Sequence, residues 1–291
     1  MAEADPVIGS RYGFSAPAGY RFPREVIAVG VRWYLRYGLS YRDVEELLAE
    51  RGVEVDHVTI YRWVQTFTAE FIDAARPARH AAGGRWFVDE TYVKVAGRWS
   101  YLYRAVDQHG QVIDVLVSRR RDAAAARSFV ARALQQAPAP VEVVSDRAPA
   151  YPRVVEEAAP AARHVTERYA NNAIEADHGR LKARLRPMRG LKRMRSACTI
   201  AAGHAFVQNL RRGHYAITAD LRVHDRVRDA FERLAWSLRA QARACDPILS
   251  RSACAQRNSA HLPPFFEQLL EQACRMGLLH WSGPAAETLS R

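Results

Sequence analysis

The sequence predicts an α/β protein: a mixed five-stranded sheet flanked by helices, preceded by a small all-α helix-turn-helix domain. Three observations carry the prediction. Residues 24–67 place apolar side chains at helical spacing and are cut by Gly38 and Gly52. Residues 86–117 switch to segments that alternate and are rich in β-branched and aromatic residues. Residues 122–185 then interleave helical stretches with short apolar runs, the pattern of helices laid on a sheet.

Residues 1–20 are rich in small residues, Gly and Pro and read as a flexible lead-in. Val26, Ile27, Val29, Val31, Trp33 and Tyr34 mark a first helix, ended by Gly38. Ser40 suits the N-cap of a second helix with Val44, Leu47 and Leu48, stopped by Gly52. Asp56 suits the cap of a third, carrying Val58, Ile60, Tyr61, Val64 and Phe67. Three short helices with tight turns make a helix-turn-helix domain over residues 21–76.

Trp86–Val95, Trp99–Val106 and Val112–Val117 read as an antiparallel meander, with Gly97 and His109–Gly110 at its turns. Asp122–Gln136 is Ala-rich and helical. Val141–Val144 is wholly apolar, as a buried parallel strand is. Tyr151–Ala158 is expected as helix, Arg163–Val165 as a last short strand and Asn171–Leu185 as helix. The order β-β-β-α-β-α-β-α is the outline of an RNase H-like domain, assigned to residues 77–215. Ile200–Leu210 is a further apolar helix inside it. Residues 216–291 read as a helical tail, with amphipathic stretches over 223–244 and 265–276.

The chain of 291 residues carries a formal charge of +12, which points to a polyanionic partner. It holds no apolar run of membrane-spanning length and no signal-peptide pattern. Its four cysteines show no C-x-x-C pairing and suit a reducing compartment, so a cytoplasmic location is expected.

Three carboxylates stand out by position. Asp89 lies mid-strand, Asp146 directly follows the buried strand, and Glu175 opens the helix after Asn171–Asn172. In a sheet of this type the first and fourth strands are neighbours, so Asp89 and Asp146 converge and the helix can bring Glu175 to the same edge. Three converging carboxylates repel one another unless cations share the site. Hard divalent ions with oxygen ligands meet that need, and two ions of Mg²⁺, with Mn²⁺ as the alternative, suit phosphodiester chemistry. Lys182 follows Glu175 by two helical turns, on one face with it.

Between Ala176 and Tyr215 ten basic residues face the single acid Asp177. Arg180, Lys182, Arg184, Arg186, Arg189, Lys192 and Arg193 are the candidate phosphate contacts, in a run broken by Pro187 and Gly190. In the helix-turn-helix, Asp56–Phe67 is the expected recognition helix, with His57, Thr59 and Arg62 as candidate DNA contacts.

Several blocks carry a resemblance. Arg32–Tyr37 (RWYLRY), Tyr41–Glu46 (YRDVEE), Thr59–Val64 (TIYRWV), Trp86–Val95 (WFVDETYVKV), Trp99–Asp107 (WSYLYRAVD), Asp146–Tyr151 (DRAPAY) and Tyr169–Lys182 (YANNAIEADHGRLK) stand in this order. Over about Phe22 to Tyr215 the chain resembles the bacterial DDE transposases of insertion-sequence family six. The resemblance places the acidic triad on Asp89, Asp146 and Glu175 and a basic companion on Lys182. It implies binding to terminal inverted repeats, 3′-end cleavage and strand transfer into target DNA, commonly with replicative cointegrates, by a dimer or larger homo-oligomer. Two features depart from the family. Only 28 residues separate Asp146 from Glu175, fewer than is usual. Residues from about Ala240 onward have no family counterpart. A non-catalytic helix-turn-helix regulator, an RNase H-like nuclease and an inactive transposase relic are the competing readings.

Overall fold

Local sequence sets the first three helices. In the computed structural model α1 spans Arg24–Arg36, α2 Tyr41–Ala49 and α3 His57–Ala75. Ser40 and Asp43 form a reciprocal capping box at the start of α2, their bonds 3.2 and 2.7 Å long. Gly52 turns the chain at φ +72°, a conformation open to glycine at no steric cost. Asp56 caps α3 by accepting from Val58 and Thr59 backbone N–H groups. Helix α3 is longer than the expected Asp56–Phe67, because residues 68–75 continue its buried face through Thr68, Phe71 and Ala75. The structure describes residues 21–239 apart from Arg147, residues 168–170, Pro187 and Arg189. The lead-in over 1–20, the candidate contact Arg189 and the tail beyond 239 lie outside the described residues.

Strands β1 (Arg85–Val95), β2 (Arg98–Asp107) and β3 (Val112–Ser118) form the expected meander. The β1–β2 turn places Ala96 at φ +50° and Gly97 at φ +77°, the sign pattern that a tight hairpin requires. Helix α4 (Ala123–Gln136) is capped by Asp122. Strands β4 (Glu142–Ser145) and β5 (Arg163–Val165) flank α5 (Tyr151–Ala158) and run parallel to β1. The sheet order is β3-β2-β1-β4-β5, with three antiparallel strands followed by two parallel ones. With helices on both faces, this is an RNase H-like fold.

One face of the sheet carries Trp86, Val88, Tyr103 and Val143 into a core with α4 and α5. The opposite face carries Phe87, Leu102, Val115 and Val144 into a core with α6 (Asn172–Leu185) and α7 (Met194–Arg212). Helix α7 extends six residues before Ile200, and its two sides differ in size. Ala197, Ala201 and Ala205 meet the sheet, where small side chains permit close approach. Ile200, Phe206, Val207 and Leu210 join a third core with α1, α2, α3 and α8 (Arg226–Ala235). The helix-turn-helix segment is thus not packed as a separate domain ending at 76. It shares a core with α7 and α8, whose apolar side chains pack among those of α1, α2 and α3. Among the described residues no helix is long and apolar enough to cross a membrane.

Candidate active site

The register of the parallel pair builds the centre of the site. Val88 pairs with Ser145, so Asp89 on β1 and Asp146 one residue beyond β4 come next to each other on neighbouring strands. Both continue the alternation of Phe87 and Val144, on the face covered by α6 and α7. The carboxylates of Asp89, Glu90 and Asp146 each offer an oxygen within 4.8 Å of the other two. Burial first, then the neighbouring charges of Glu90 and Asp146, push the Asp89 carboxyl up to about 7. A site that opposes its own negative charge in this way favours a cation, and an all-oxygen donor set fits a hard divalent ion.

Glu175 stands in the first turn of α6, exposed, outside that close trio, and near enough for its charge to raise Asp89 a little further. Among the described residues it has no hydrogen-bond or ion-pair partner. Its helix is firmly placed: Ile174 and Leu181 are fully buried, and Asp177 is held by Arg104 of β2 and Arg212 of α7. His178 packs with Nδ1 3.6 Å from Asp89. Burial, then the Arg104 charge, lowers its imidazole to about 4, so it is neutral at pH 7 and no ion pair forms.

Glu90 is the residue that sequence reasoning passed over. It points away from Asp89 along the strand alternation, yet past the end of the β1–β4 pairing its carboxylate reaches the same cluster. Its Oε2 accepts from the buried Tyr151 hydroxyl at 2.5 Å and its Oε1 from Arg121 Nε at 2.5 Å. The same guanidinium lies 3.8 Å from Asp146 Oδ2. The signal was available in Arg119–Arg121, three consecutive basic residues directly after β3, and in the Tyr of the DRAPAY block.

The basic residues divide. Lys182, Arg186, Lys192 and Arg193 are exposed, and Arg180 is exposed with a loose 3.7 Å approach to Asp177. Arg184 corrects the expectation of a phosphate contact. It is 6% exposed, donates to the carbonyls of Tyr34 and Leu39 and lies over the Tyr34 ring at 4.6 Å. Helical spacing turns it inward, where it ties α6 to α1. In α3, Arg62 is exposed, whereas Thr59 Oγ1 is engaged with Asp56 at 2.7 Å and His57 Nδ1 lies 3.1 Å from Glu45. Arg62 borders a groove of about 700 Å³ that also holds Glu45, Glu54 and Asp56.

An RNase H-like sheet with acids paired where β1 meets the end of β4 is the frame of metal-dependent phosphoryl-transfer enzymes that act on nucleic acids. A family model described as a DDE domain matches residues 83–214. The chain is 41% identical over 169 residues to the transposase for insertion sequence-like element IS431mec of Staphylococcus aureus (strain Mu50 / ATCC 700699), covering 56% of this chain and 75% of that protein. It is 40% identical over the same span to the transposase for insertion sequence element IS257 in transposon Tn4003 of Staphylococcus aureus, again covering 56% of this chain and 75% of that protein. The chain belongs to the DDE transposases of insertion-sequence family six. Among solved structures it is similar to the HTLV-2 integrase catalytic core domain in complex with magnesium (trimeric form), at 16% identity and TM-score 0.30, over 55% of this chain and 87% of that one. The BIV integrase catalytic core domain gives 16% identity and TM-score 0.32, over 45% and 84%. Scores this low leave the fold to rest on the sheet order itself.

Proposed function

We propose that this transposase binds the terminal inverted repeats of its own element, cleaves DNA to expose 3′ ends and joins them to target DNA, in replicative transposition. The observation that carries the reading is the Asp89–Asp146 pair, forced together by strand register and electrostatically short of a cation. Asp89, Asp146 and Glu175 are the catalytic acids and the metal ligands, with two ions of Mg²⁺, or Mn²⁺, as cofactor. Bound divalent cations supply charge neutralisation at the phosphodiester and Lewis acidity for oxygen attack. Both oxygens of Glu90 are already engaged, which favours Glu175, exposed and unpaired among the described residues, as the third ligand. Tyr151 holds Glu90 in place, and its hydroxyl stays a donor because burial and the Glu90 charge push it up. Asp177 and its two arginines hold the helix from which Glu175 projects.

Lys182, Arg180, Arg186, Lys192 and Arg193 are the phosphate contacts beside this centre, to which Arg189 is added from the sequence. Arg62, with His57 and Thr59, contacts the terminal repeat. The working assembly is a homo-oligomer, a dimer or larger, that holds two DNA ends, and the protein acts in the cytoplasm.

Purified protein incubated with terminal-repeat DNA and Mg²⁺ should yield nicked and joined products, and Asp146→Ala should lose both while still shifting the repeat on a gel. Activity persisting in that variant overturns the assignment of the acids. Binding without cleavage by the unaltered protein would mark a regulator or a relic, and cleavage without joining a nuclease.

A further inference from the structure

The two sheet faces are covered to different extents near the β1–β2 turn. The core with α4 and α5 reaches Tyr103 and takes in Tyr101 only in part. Beyond it, on the same face, Tyr92 is 49% and Trp99 63% exposed. Tyr92 lies opposite Tyr101, and Lys94 opposite Trp99. The rings form a ladder, with Tyr92 5.3 Å from Tyr101 and 6.2 Å from Trp99 between centroids. Cations frame it: Lys94 Nζ lies 5.8 Å from the Trp99 ring, and Arg121 lies 6.0 Å from the Tyr92 ring while donating to its hydroxyl at 3.2 Å. Arg121 also touches Glu90 and approaches Asp146, so the ladder runs continuously into the acidic centre.

Cross-strand aromatic pairs stabilise a hairpin, and here the outer faces of the same rings are left open to solvent beside arginine and lysine. Exposed π-faces interleaved with cations are what an unpaired nucleic-acid strand recognises: bases stack on the rings and phosphates meet the charges. A duplex keeps its base faces inside the stack and offers the rings none, so its contacts do not depend on them.

We propose that Tyr92 and Trp99 form a stacking platform for unpaired DNA, taking the single-stranded nucleotides that flank the phosphodiester held at Asp89 and Asp146. The inference rests on the reading of those acids as the cleavage centre only for where the strand leads; the stacking itself does not depend on it. Arg121 is the hinge between the two, with one side on Tyr92 and the other on the carboxylates.

The test uses the full chain without divalent metal and two probes, a short oligothymidylate carrying one 2-aminopurine and a duplex of the same length. Trp99→Ala should weaken single-strand binding by about 5- to 160-fold, the range for loss of one stacked base, and relieve the quenching of 2-aminopurine. Its duplex affinity and its melting temperature should stay within error of the unaltered protein. Trp99→Phe, which keeps a π-face, should recover most of the loss. Single-strand affinity unchanged in Trp99→Ala, or single-strand and duplex affinity falling together, overturns the proposal. So does a drop in sedimentation-derived mass without loss of single-strand binding, which would make the strip a contact between copies of the chain. Asp146→Asn distinguishes this proposal from the catalytic reading: it should abolish cleavage of terminal-repeat DNA when Mg²⁺ is supplied and, without metal, leave the 2-aminopurine quenching intact.

Discussion

Asp177 shows how one buried residue governs its surroundings. It is the lone acid in a basic stretch, and composition alone would leave it on the surface among solvated charges. Instead it is 1% exposed, bound by Arg104 and Arg212. Burial by itself would raise its carboxyl, and the two guanidinium groups outweigh that and hold it below the usual range. The excess positive charge left around this network acts on His204, which is also buried. Burial, with Arg104 adding to it, lowers the His204 imidazole to about 3. An unfolded histidine takes up its proton near 6.5. The unfolded state therefore binds more protons between those two values, and stability falls as pH drops from 6.5 towards 3. His204→Leu removes this liability. Its melting temperature should decline less on acidification through that window than that of the unaltered protein, as followed by calorimetry. Superimposable pH profiles would show that His204 plays no part in acid sensitivity.

At the scale of the element, α7 works because its faces are sized differently. Alanines approach the sheet, and larger apolar residues fill the helical core. Gly203 is the tightest point of this arrangement. A Cβ added there would lie 2.6 Å from Leu35 Cδ2 and 3.0 Å from Thr68 Cγ2, side chains of α1 and α3 that are themselves buried. Overpacking of this kind costs about 1–3 kcal/mol. The gain in helix propensity on leaving glycine returns at most about 1 kcal/mol. Gly203→Ala should therefore lower the stability measured in urea by about 1 kcal/mol, and Gly203→Val by more. An alanine variant as stable as the unaltered protein would mean that α1 can retreat from α7. Arg184 acts at the same scale, joining α6 to α1 through backbone carbonyls instead of reaching for phosphate.

For the molecule as a whole, α7 lies in two cores at once, so the helix-turn-helix and the sheet cannot lose their packing independently. Tryptophan fluorescence and helical ellipticity should report a single coincident midpoint in urea, as they do for one cooperative unit. Two separated midpoints would show that the segment before residue 76 folds by itself. Under the proposed function the coupling has a consequence: if α3 contacts the terminal repeat, its packing against α7 holds the bound DNA in a defined relation to the acids.

Most of the elements were legible in the sequence because their causes are local. Ser40, Asp56 and Asp122 announce helix starts, Gly97 a hairpin, and the change of hydrophobic period the passage from helices to sheet. The positions of Asp89 and Asp146 could also be read, since parallel pairing of the first and fourth strands follows from the order of elements. Other features had no local cause. That Glu90 reaches the cluster depends on Tyr151 and Arg121, which are distant in sequence and meet only across the folded edge. That Arg184 is buried and Lys182 is exposed depends on which side of α6 faces α1. That Tyr92 and Trp99 stand in water while Tyr103 is buried depends on where α4 and α5 stop. The sequence by itself determined the strands, the caps and the pair of acids, because periodicity and turn chemistry act over a few residues. Only the tertiary structure decided which charges are spent inside the protein and which are left exposed, because burial is a property of the surroundings and not of the residue.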